Sequence, residues 1–136
     1  MLCVQKSRRG VISIMNSLLI FIGENEKFDK SATIGAIMNL NGTSDLEDGD
    51  LIESVFRCMY SNYGTFCTVR FSKDLETISV QPVNDASLDF ILQLQSKLTV
   101  NLTVIDTNYS FDIPLRITST MDKLNEFMSI GFKQRI

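Results

Sequence analysis

Between Tyr109 and Ile117 apolar and polar residues alternate without a break: Tyr109, Phe111, Ile113, Leu115 and Ile117 fall on one side, and Ser110, Asp112, Pro114 and Arg116 on the other. Successive side chains of a strand point to opposite faces, so this run predicts a strand with one buried side. Pro114 has no amide to donate to a ladder, which places the strand at a sheet edge or at a bulge. Ser119 and Asp122 form a cap-like pair that starts a helix; Met121, Leu124, Phe127 and Met128 supply its buried stripe, and Gly131 ends it.

The same period appears upstream. Cys67, Val69 and Phe71 alternate with Thr68, Arg70 and Ser72, and beyond Lys73-Asp74 the pattern resumes at Ile78 and Val80, which predicts a hairpin ended by Pro82. Val100, Leu102 and Val104 predict a further strand. Helical spacing marks Leu88, Ile91, Leu92, Gln95 and Leu98, behind a cap at Asn84 or Asp85. It also marks Val11, Ile12, Met15, Leu18, Leu19 and Ile22, with a short buried strand over Leu18–Ile22 as the alternative. A shorter helix capped by Asp29 runs through Ala32, Ala36 and Leu40. Finally, Asp50 and Glu53 read as a capping box for a helix built on Leu51, Ile52, Val55, Phe56 and Met59, ended by Asn62-Tyr63-Gly64. These elements amount to an α+β fold: a mostly antiparallel sheet of about four strands, with one apolar face covered by three or four helices.

At 136 residues and 44% hydrophobic, the chain suits one compact domain, with residues 1–10 a flexible or loosely packed terminus. Lys6, Arg8 and Arg9 precede the apolar stretch Val11–Ile22, but Ser13, Asn16 and Ser17 interrupt it and it is too short to span a bilayer. Three cysteines without CxxC spacing point to a reducing compartment, so a cytoplasmic location and no membrane partner are expected. A Cys58–Cys67 disulfide is the alternative.

Histidine is absent from the sequence, which removes the residue most used for proton transfer near neutrality and the imidazole ligands of many metal sites. Neither GxxxxGK[ST] nor GxGxxG occurs, and an EF-hand loop centred on Gly49 would put Ser44 and Leu46 at ligand positions. No cofactor and no metal site are expected. The net charge of -3 and the lack of a basic face weigh against nucleic acid.

What stands out instead is the acidic run Asp45, Glu47, Asp48, Asp50 and Glu53. Together with Tyr60, Tyr63, Asp112 and Arg116 these are the candidate contacts for a basic protein partner, charge aiding encounter and tyrosine supplying contact area. The expected function is a non-catalytic protein-binding module. Its charge and size are those of acidic immunity or antitoxin proteins that mask a toxin, an analogy of physics and not of motif. The alternatives are a small carboxylate enzyme using a divalent cation and a homo-oligomeric accessory protein that pairs through an edge strand.

Overall fold

The computed structural model describes residues 17–23, 26–51, 54–106 and 112–114. In chain order the elements are β1 (Leu18–Phe21), α1 (Lys30–Met38), β2 (Thr43–Leu51), β3 (Ser54–Asn62), β4 (Thr65–Ser72), β5 (Ile78–Gln81), α2 (Asp85–Lys97), β6 (Thr103–Asp106) and β7 (Asp112–Pro114). All seven strands share one sheet, ordered β2-β3-β4-β5-β1-β6-β7, and each neighbouring pair is antiparallel.

A sheet of about four strands under three or four helices is therefore wrong: seven strands pack against two helices among the described residues. Most of the difference lies at the helix expected over Leu51–Met59. There the chain forms β3, in which Phe56, Cys58 and Tyr60 are buried and Val55, Arg57 and Met59 are only half-buried. Asp50 lies in β2 rather than at a helix cap. Asn62-Tyr63-Gly64 is no helix end either. Tyr63 and Gly64 take φ of 54° and 76°, the two left-handed positions of a tight hairpin turn, and β3 runs straight into β4.

The helix expected through Leu18–Ile22 is likewise replaced, by β1, the strand alternative. Leu18 and Ile20 are buried because β1 is an inner strand, paired with β5 on one side and β6 on the other. Residues 11–16, the helix expected after Ser119 and most of Tyr109–Ile117 lie outside the described residues. Of that last run, β7 is described: it pairs with β6 and is, among the described residues, the outermost strand on its side, Pro114 opposite Thr103.

Register explains the core. Phe56, Phe71, Ile78, Ile20 and Val104 stand side by side across β3, β4, β5, β1 and β6, and all are buried on the face that the helices cover. α2 lies against β3 and β4 and contributes Leu88, Phe90, Ile91 and Leu94. It begins with a reciprocal cap: Asn84 Oδ1 accepts from the Ser87 amide at 3.0 Å, and Ser87 Oγ accepts from the Asn84 amide at 2.8 Å. α1 is capped by Asp29, whose carboxylate accepts from the Ala32 amide at 2.8 Å. Just before it, Phe28 meets Phe71 edge to face, ring centres 5.7 Å apart.

Val100 is exposed and β6 starts later than Val100–Val104 predicts. The cause is Gln95. Its carboxamide donates to the Val100 carbonyl at 2.9 Å and accepts from the Leu102 amide at 2.8 Å, occupying backbone groups that a strand neighbour would otherwise satisfy.

Candidate functional site

β2 carries most of the acidic run and is, among the described residues, the outermost strand on its side of the sheet. Its pairing with β3 shifts register twice, between Ser44 and Glu47 and again between Asp48 and Leu51. Asp45 (φ 51°) and Gly49 (φ 115°) sit at these breaks in left-handed backbone, which aspartate and glycine tolerate better than most residues. An edge broken this way and lined with charge resists strand addition. Contacts to another molecule then fall to side chains.

Those side chains divide into two kinds. Glu47 is opposite Arg57 and forms an ion pair and hydrogen bond with it, so its charge is largely answered within the fold. Asp45, Leu46 and Asp48 are exposed, and among the described residues neither aspartate has an ion pair. On the sheet face away from the helices, Glu47, Arg57 and Arg70 form a cross-strand row beside Met59 and Thr68, over a groove of about 470 Å³.

The start of β2 leads to a second feature. Leu40, Gly42, Ser61, Asn62, Asp89 and Gln93 border a depression of about 420 Å³ between α2, the end of β3 and the loop after α1. At its floor Asp89 is only 5% exposed. The Tyr60 hydroxyl donates to Asp89 Oδ2 at 2.5 Å, and Asn62 Nδ2 donates to the same oxygen at 2.7 Å. Oδ1 has only the Gln93 carboxamide, at 3.5 Å. Burial, then the hydrogen bond and charge of Asp89, push the Tyr60 phenol well above its ordinary range. Among the described residues no cation pairs with Asp89.

The depression is closed on one side by tight backbone contact. The Gly42 carbonyl accepts from the Ser61 amide at 3.0 Å, and a Cβ at Gly42 would meet the Ser61 carbonyl at 2.4 Å and the Tyr60 ring at 2.9 Å. Gly42→Ala is accordingly expected to lower stability by about 1–3 kcal/mol, read from urea unfolding.

Of the residues singled out in the sequence, the structure brings Asp45, Glu47 and Asp48 onto one edge, with Asp50 in the same strand. Tyr60 is buried and belongs to the Asp89 cluster, whereas Tyr63, the residue just after β3, is 62% exposed at the tip of a hairpin whose second strand carries exposed Phe66. Asp112 lies in β7, opposite Ile105, at the far side of the sheet. Glu53 and Arg116 lie outside the described residues. Cys58 and Cys67 are free and buried on neighbouring strands; burial pushes each thiol up to about 12, far from a reactive thiolate.

Asp89, Asn62 and Gln93 were not legible as a site. The available signal was Asp89 itself, a carboxylate set between Leu88 and Phe90 in an otherwise apolar stretch of helix. Among the described residues there is no group of three or more carboxylates, cysteines or histidines able to share a metal ion, and no helix long and apolar enough to cross a membrane.

No family model, no curated protein and no solved structure matches this chain. The class that the fold defines is α+β, one antiparallel sheet with two helices among the described residues.

Proposed function

We propose that this chain is a non-catalytic protein-binding module that docks on a basic partner through its β2 edge, in the manner of an acidic inhibitor of the immunity or antitoxin kind. The observation that carries this reading is the state of that edge: exposed Asp45, Leu46 and Asp48 on an outermost strand whose two register breaks discourage backbone pairing. Exposed carboxylates around an apolar residue suit a rim that steers and orients a cationic surface. Tyr63 and Phe66 offer further apolar area at the tip of the neighbouring hairpin.

Parallel affinity capture with the unaltered protein and an Asp45→Asn/Asp48→Lys variant tests it. Asparagine preserves the left-handed backbone at position 45 while removing its charge. The expected result is one basic protein, retained in a one-to-one complex by the unaltered chain and at least tenfold less by the variant. Equal retention by both would remove the edge from the account.

A further inference from the structure

We propose that the depression over Asp89 is a receptor for one guanidinium group, and that the arginine side chain carrying it comes from the docked partner. The second clause rests on the docking reading above; the first stands on the pocket alone.

A buried carboxylate without a cation is costly unless hydrogen bonds or a ligand answer its charge. Asp89 has two good donors, Tyr60 and Asn62, and both are neutral and both reach Oδ2. Oδ1, which meets only Gln93 at the outer limit of a hydrogen bond, keeps most of its acceptor capacity. The site thus presents a buried carboxylate with one oxygen largely unused and no paired cation among the described residues, lining an open depression.

The lining selects among cations. A divalent metal is normally held by several oxygen ligands that include more than one carboxylate, and this pocket has Asp89 alone. A space of about 420 Å³ admits an ammonium or a guanidinium group alike, so the choice between them falls to the lining. A planar guanidinium carries five N–H donors and suits a polar lining that includes the carboxamide residues Asn41, Asn62 and Gln93 around one carboxylate. The depression opens where β2 begins, Thr43 being paired with Tyr60, so a partner lying along the acidic edge is placed to insert a side chain there.

The probe is N-acetyl-arginine amide, with the neutral N-acetyl-citrulline amide as its isosteric control, followed by amide shifts in nuclear magnetic resonance. The arginine compound is expected to shift Gly42, Ser61, Asn62 and Gln93 saturably, with a Kd on the order of millimolar. The citrulline compound binds at least tenfold more weakly, and Asp89→Asn lowers arginine affinity by at least tenfold. Gln93→Glu, at an exposed position, adds a second carboxylate and tightens binding severalfold, so the proposal remains testable if Asp89→Asn does not fold. Equal binding of the two probes, no saturable shift, or no gain from Gln93→Glu each overturn it. The Asp45→Asn/Asp48→Lys variant separates the two claims: it retains the probe within about twofold by simple screening of exposed charge, whatever becomes of its partner. Loss of the probe with the partner complex intact sinks the pocket and leaves the docking edge standing.

Discussion

Phe71→Ala is expected to lower the unfolding free energy by about 3–5 kcal/mol, a large part of the stability of an ordinary domain. Phe71 is fully buried in β4, its register neighbours are Phe56 and Ile78, and Phe28 packs against its ring from just before α1. Truncation removes a ring contact that joins the α1 entry to the sheet and leaves a cavity between two inner strands, where a regular ladder resists collapse. Urea unfolding should show a reduced midpoint with an unchanged slope. A loss below about 1 kcal/mol would mean that the aromatic row is not the centre of the core.

Alkali is expected to be the second large effect. The Cys58 and Cys67 thiols are each pushed up to about 12 from an ordinary value of 9.0 by burial, Cys67 also by its neighbour's thiolate, and the Tyr60 phenol is raised as well. The unfolded chain loses these protons first. Stability from the neutral folded forms is therefore complete below about pH 9 and is lost as the pH rises through the folded values near 12. By pH 10.5 the loss is roughly 2 kcal/mol per thiol, at 1.36 kcal/mol for each pH unit above the unfolded value. The check is the pH dependence of urea unfolding in the unaltered chain, Cys58→Ala and Cys67→Ala. Each substitution should flatten the decline between pH 9 and 11, whatever it does to stability at pH 7; parallel declines in all three would place the titrating groups elsewhere.

Legibility in the sequence followed the type of signal. α1 and α2 were readable because Asp29 and Asn84 cap them as their side chains suggest, and α2 has apolar helical spacing. β4 and β5 were readable because alternation is uninterrupted over Cys67–Phe71 and Ile78–Val80. β3 departs from the helix expected over Leu51–Met59 because two periods coexist in it. Val55, Phe56 and Met59 match a helical face, while Phe56, Cys58 and Tyr60 match a strand face, and an apparent capping box at Asp50 and Glu53 tipped the reading the wrong way. The Tyr63-Gly64 turn was the better guide, since it separates two alternating runs at hairpin distance.

The site divides in the same way. Asp45, Glu47 and Asp48 were visible as a charge run, but that Arg57 answers Glu47 depends on the cross-strand register, which exists only once β2 and β3 pair. Tyr60, a candidate partner contact by sequence, is in β3 turned inward to Asp89, so its hydroxyl is spent within the fold. Asp89, Asn62 and Gln93 come together from two elements brought into contact by packing of α2 on β3, and no local spacing encodes that meeting.

The docking claim is tested most directly by the association rate with the captured partner, measured as a function of ionic strength for the unaltered chain and for Asp45→Asn/Asp48→Lys. Steering by an exposed acidic edge predicts a rate that falls at least tenfold between low and high salt for the unaltered chain and hardly at all for the variant. Equal salt dependence in the two proteins, or a rate insensitive to salt in both, would contradict the proposed role of the β2 edge.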